Sequence, residues 1–251
     1  MAQEDLLDEA VRIVGEAEGR GVILRVMGAV AFRLHCPKHG SMHEALNRGL
    51  TDLDLAAYGR QRSGVEGLFR ELGYSMKPAS FAMHMLGDRE IFIHPSNRFI
   101  VDVFYDELVM CHDIDFHGRL ERDYPTIPLA ELLLEKLQIV QLTEKDVKDV
   151  LMLIREHEIG EGDRETINAD YIAGILSEDW GFYYTATNNI RKIKDLTVNF
   201  RLEEDAREEI NSKLDDLLKA IEGKPKSMGW KLRARVGPKK KWYRDVEAIE
   251  H

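Results

Sequence analysis

Apolar positions along this chain change period several times, and the changes mark its elements. Leu6, Leu7, Ala10, Val11, Ile13 and Val14 recur at helical spacing over residues 4–18, and Gly19 and Gly21 stop the pattern. Residues 22–27 form a mostly apolar run that predicts a strand, and 28–34 predict a helix opening at a tight glycine turn. Residues 35–49 read as a loop with a short helical piece, carrying Pro37, Gly40 and Ser41. A strand over 53–58 and a helix over 65–72, closed by Gly73, come next. Two strands, 90–94 and 98–105, are joined by Pro95-Ser96-Asn97, and 114–120 predict one more.

From Leu129 onward the period is helical almost without pause. Helices are predicted over 129–141, 144–157, 169–176, 182–194 and 203–221, the last strongly charged on one side. The tail differs again. Trp230-Lys231-Leu232-Arg233-Ala234-Arg235-Val236 alternates, Gly237-Pro238 turns, and Trp242 to Val246 follows, which together predict a terminal β-hairpin. The fold class expected is α+β: a small mixed sheet flanked by helices in 1–126, a helical domain in 127–222, and a basic hairpin and tail in 223–251.

Composition bounds the function classes. With 251 residues, 44% hydrophobic and 32% charged, the chain can bury a proper core. It holds no apolar run near the ~20 residues of a membrane span. The acidic start, Met1-Ala2-Gln3-Glu4-Asp5, lacks the regions of a secretory signal, and Cys36 and Cys111 are too few for a disulfide framework. A cytoplasmic protein with no membrane partner is the expectation. A net charge of −10 argues against coating nucleic acid, but residues 224–244 hold nine basic side chains and no acidic one.

The chemistry concentrates in three aspartates. Asp52 and Asp54 are two residues apart in an extended segment, so they point to one face of a sheet. Asp102 interrupts the apolar run 99–104. Three carboxylates on neighbouring strands repel one another unless cations are present, and magnesium suits such hard oxygen ligands because substrate phosphates and water complete its shell. Two ions about 3.5–4 Å apart would serve an in-line phosphoryl displacement.

The ordered set Gly28-Ala29, then Leu50-Thr51-Asp52-Leu53-Asp54-Leu55, then Val101-Asp102-Val103 resembles the nucleotidyltransferases of the DNA polymerase beta-like superfamily. The resemblance covers roughly residues 20 to 110 and implies a nucleotidyltransferase fold. It further implies transfer of a nucleoside monophosphate from an NTP to an acceptor hydroxyl, with release of pyrophosphate. By it, Asp52 and Asp54 hold two Mg²⁺ ions with the triphosphate, and Asp102 completes the metal site and orients or deprotonates the acceptor. Gly28 and Ala29 form the nucleotide-binding turn, although Ala29 stands where the family has Ser or Gly, and 35–49 lengthens the spacing to Asp52. Glu135-Lys136-Leu137 followed by Glu144-Lys145-Asp146-Val147-Lys148-Asp149 resembles the helical region of abortive-infection toxin-type nucleotidyltransferases and their bacterial relatives. That resemblance makes Lys136 a phosphate ligand, while the pattern alone allows a solvated helix lysine. The alternative function is a catalytically inactive member of the fold that binds NTP or a protein partner. The acceptor, whether small molecule, RNA or protein, is not set by the fold.

Other candidates divide between chemistry and structure. Arg48 precedes the paired aspartates and either meets a phosphate or pairs with a carboxylate. His35, Cys36, His39 and His43, with Cys111 and His112, are zinc-type donors, but no Cys-x-x-Cys is present and zinc is not expected. His94 reads as a turn residue. Trp180 to Tyr184 reads either as helix packing or as a stacking platform for a base. The basic tail either faces RNA, a nucleotide or an acidic protein, or balances an acidic body.

Overall fold

The computed structural model describes residues 3–37, 50–78, 88–96, 98–200 and 202–246. The chain forms two compact units, Met1–Val109 with Asp113–Pro128, and Met110–His112 with Leu129–His251. It is an α+β protein whose small mixed sheet is flanked by helices, and no helix among the described residues is long and apolar enough to cross a membrane.

The first unit is built on a five-stranded sheet. α1 (Gln3–Glu18) leads to β1 (Leu24–Met27), α2 (Gly28–His35), β2 (Leu53–Ala57), α3 (Arg62–Glu71), β3 (Ser75–Met76), β4 (Arg89–Ile93) and β5 (Ile100–Tyr105). The order is β1-β2-β5-β4-β3, with β2 and β5 parallel and the other neighbours antiparallel. Alternation gives the sheet two unlike faces. Leu24, Val26, Leu53, Leu55, Ala57, Val101, Val103 and Phe92 lie on one face and are all buried. α3 covers part of it, because Phe69 stacks on Phe92 with ring centroids 4.2 Å apart. The opposite face carries Arg25, Met27, Asp54, Asp102, Phe104, Arg89 and Ile91. The outer edge of β1 is closed by the returning chain, where Val26 N–H donates to Pro125 O and Ile127 N–H to Val26 O, both at 3.0 Å, which removes an open edge.

Among the described residues two small strand pairs complete the count, of which only the strand beginning near Ile114 was expected. β6 (Glu107–Val109) pairs antiparallel with β7 (Asp113–Asp115), and β8 (Glu158–Gly160) pairs parallel with β9 (Thr166–Asn168). The strand expected over 114–120 stops at Asp115. The Asp115 carboxylate accepts the His117 N–H, and Gly118 takes φ +70, so the chain turns there.

In the second unit α4 (Leu129–Leu137) is buried along its whole length and packs against α5 (Glu144–Glu156), α6 (Ala169–Glu178) and α7 (Trp180–Leu196), while α8 (Glu204–Gly223) packs against those three. Its open carboxyl end is satisfied by Asn189, whose Nδ2 donates to Leu137 O at 2.9 Å and Ile139 O at 2.8 Å. Side-chain caps start the surrounding helices: Thr143 for α5, Asn168 for α6 and Asp179 for α7.

The terminal hairpin is replaced by a helix, α9 (Met228–Val236). Ser227 caps it by accepting the Trp230 N–H, and Gly237, at φ 62, ends it. Alternation misleads here because no residue of α9 is buried, so the apolar positions are not inward-facing. Lysine, leucine, arginine and alanine are also good helix formers. The described residues after Gly237 form no ladder: Trp242 Nε1 donates to Thr185 Oγ1 at 3.0 Å, and Arg244 N–H to Cys111 O.

Candidate functional site

The site is assembled at the centre of the first unit's sheet. Asp54 on β2 stands directly opposite Asp102 on the parallel strand β5, and opposite Met27 on β1. Opposed residues project to the same face, so the two carboxylates share it. Neighbouring strands are about 4.8 Å apart. Two like charges at such a distance repel by roughly 3 kcal/mol at an effective dielectric of ~20. Asp102 is 5% exposed, whereas Asp54 is partly open. Asp52 lies one residue ahead of β2, partly exposed, and accepts the Thr51 hydroxyl at 2.8 Å.

Gly28 sits against this pair. It follows Met27 at the end of β1, opens α2, and takes φ +63. A Cβ here would overlap Asp54 Oδ2 and stand 3.2 Å from Asp54 Cβ. Glycine is therefore required twice, by its backbone conformation and by the approach of Asp54. Ala29 follows as the second residue of the helix, with Val30, Ala31 and Phe32 buried behind it.

Sequence reading missed Arg89. It opens β4 in the same phase as Ile91, which pairs with Asp102, so its side chain reaches diagonally to that aspartate. Arg89 Nη1 lies 3.1 Å from Asp102 Oδ2, the two side chains being 8% and 7% exposed. The guanidinium also lies over the Phe104 ring at 5.7 Å. Its Nε and Nη2 are buried without a hydrogen-bond acceptor among the described residues. Arg89-Glu90-Ile91-Phe92-Ile93 carries no mark in the sequence that singles out its first residue; the register of β4 on β5 is what brings Arg89 beside Asp102.

The donor chemistry suits a hard divalent cation: two carboxylates in register on adjacent strands, with a third two residues upstream. Arg89 already supplies one positive charge at Asp102.

Lys136 belongs to the second unit and is tied there. Its Nζ lies 3.0 Å from Asp149 Oδ2 and 3.3 Å from Asp146 Oδ1, with Asp149 1% exposed. Burial pulls the lysine pKa down, but Asp149, Asp146 and Glu135 outweigh it and hold the pKa above its ordinary value. Asp146 is held below its ordinary value: burial pushes it up, and Lys136 and the Thr143 hydrogen bonds more than reverse that.

Arg48, His39 and His43 lie outside the described residues. His35 is buried with Nε2 on the Thr126 hydroxyl and 3.9 Å from Asp123 Oδ2. His112 bonds Thr185 Oγ1 at 2.9 Å and stacks on Phe182. His94 accepts the Ser96 N–H at 3.0 Å, as a turn residue does, and its pKa is lowered by burial and by Arg98. Trp180 stacks on Tyr184, and Trp180 and Phe182 are buried, so this cluster packs helices. No family model, no curated protein and no solved structure matches this chain.

Proposed function

We propose that this chain is a magnesium-dependent nucleotidyltransferase that moves a nucleoside monophosphate from an NTP to an acceptor hydroxyl and releases pyrophosphate. The observation that carries the reading is the register of Asp54 with Asp102, with Gly28 packed against Asp54. Asp52, Asp54 and Asp102 are the residues that would hold the ions. Magnesium, when bound with the triphosphate, supplies Lewis-acid stabilisation of the charge that moves between phosphate oxygens. Asp54 is oriented by the glycine turn, and Asp102 orients the acceptor hydroxyl and takes its proton. The new bond joins the acceptor oxygen to the α-phosphorus as the α–β anhydride breaks.

Incubation with each NTP, Mg²⁺ and cell extract should release pyrophosphate and label one class of acceptor. Asp52→Ala and Asp54→Ala should abolish both signals, and undiminished turnover in these variants would sink the mechanism.

A second reading, an inactive member of the fold that binds NTP or protein, is favoured by the Arg89–Asp102 pair, because it leaves one metal ligand already neutralised. Calorimetry with Mg-NTP separates the cases: a sensor binds without turnover, and a scaffold gives no heat.

A further inference from the structure

We propose that Arg89 is a built-in counter-cation that occupies Asp102 in competition with a divalent ion. Metal loading of this site is then an exchange of arginine for metal, and not a simple addition. The inference rests on the metal-dependent reading above and goes beyond it by naming the residue that sets metal affinity.

Three observations carry it. Asp54 and Asp102 are opposed on parallel neighbours, so a positive charge beside them lowers their mutual repulsion. Arg89 provides it from the same face of the sheet, through a nearly buried ion pair at 3.1 Å. Beyond that pair the guanidinium has the Phe104 ring at 5.7 Å, and its Nε and Nη2 are buried and lack acceptors among the described residues. A guanidinium placed for structure alone is normally satisfied through its whole fork. This one carries the desolvation cost of a buried charge with one carboxylate contact in return. Its position is explained by charge, not by hydrogen bonding.

Competition follows from electrostatics. A cation ligated by Asp102 would face the Arg89 charge a few ångströms away, unless the guanidinium withdraws from the carboxylate. Either way Arg89 weakens metal binding.

Mn²⁺ alone is the probe, bound to the full chain and followed by electron paramagnetic resonance and calorimetry. Arg89→Gln should bind Mn²⁺ roughly tenfold or more tightly than the natural chain, within the range of site-to-site coupling of 5–150-fold. Adding Asp102→Asn to Arg89→Gln should erase that gain. Equal or weaker Mn²⁺ binding by Arg89→Gln overturns the proposal. If Arg89→Gln fails to fold, labelling of the natural chain decides. Phenylglyoxal modification of Arg89, read by mass spectrometry, should rise severalfold when Mn²⁺ replaces chelator, and an unchanged extent overturns the exchange. Pyrophosphate release by the natural chain together with unchanged Mn²⁺ affinity in the variant removes this inference alone. Absence of Mn²⁺ binding in both proteins, with no turnover, removes the metal-dependent reading as well.

Discussion

At the scale of single residues, Gly28 and Lys136 make opposite predictions about where function and stability meet. Gly28→Ala forces an L side chain into φ +63 and into the Asp54 carboxylate. Strain of that kind costs about 1–3 kcal/mol, and it moves the carboxylate that the proposed reaction uses. Thermal unfolding should show the loss of stability, and pyrophosphate release should fall by more than the unfolded fraction explains. Lys136→Met should destabilise by about 3–5 kcal/mol, because it breaks a buried ion pair by removing the cation beside Asp149. Urea unfolding checks it, and Lys136→Met combined with Asp149→Leu should recover much of the loss. A lysine serving only a phosphate would leave unfolding in ligand-free buffer unchanged. The three aspartates were legible because strand alternation fixes which side chains share a face. Arg89 was not, because a charged residue opening a strand has no mark of its own. Only the register of β4 on β5 shows that it meets Asp102.

At the scale of elements, α5 shows how a cap and an ion pair become one pH-sensitive unit. Thr143 Oγ1 accepts the Asp146 N–H, while Asp146 Oδ2 accepts the Thr143 N–H at 3.0 Å, a reciprocal capping box. The same aspartate holds Lys136 of α4. Its pKa lies below the ordinary 3.8, so its contribution is complete above that value and is lost as pH falls through the lower, folded one. The natural chain should therefore lose more stability between pH 5 and about pH 2 than Asp146→Asn does. Denaturant melts at stepped pH measure this, and parallel curves for the two proteins would refute it. Helices such as α5 and α8 were legible because their apolar stripes face a core. The tail was not: α9 buries no residue, so its period carried no information about a facing core. The β8–β9 pair was missed because three-residue strands fall below any periodic signal.

At the scale of the whole molecule, the charge imbalance looks at first like an invitation to RNA, and the contacts reduce it. Of the nine basic residues between 224 and 244, five are engaged within the second unit. Lys224 pairs with Asp170 at 2.6 Å, and Lys226 donates to the Lys224 carbonyl at 2.7 Å. Arg233 donates to Gly237 O and Lys240 O and lies over Trp180, Lys241 pairs with Asp245, and Arg244 donates to Met110 O. Lys231, Arg235, Lys239 and Lys240 are exposed. Each phosphate neutralised on a single strand contributes about 0.7 to the slope of log K against log salt, so these four residues set a ceiling of roughly 3. Filter binding of single-stranded RNA across a salt series should give a slope no steeper than that. Lys239→Gln with Lys240→Gln should lower it by about 1.4, the share of two phosphate contacts. A slope near 6, the value of about nine contacts, would mean that the internal bonds of the tail release on binding and that polyanion recognition is built into this segment. The expected shallow slope instead assigns most of the positive charge to bonds within the tail and to the second unit, and the catalytic reading of the sheet then stands without help from a nucleic-acid surface.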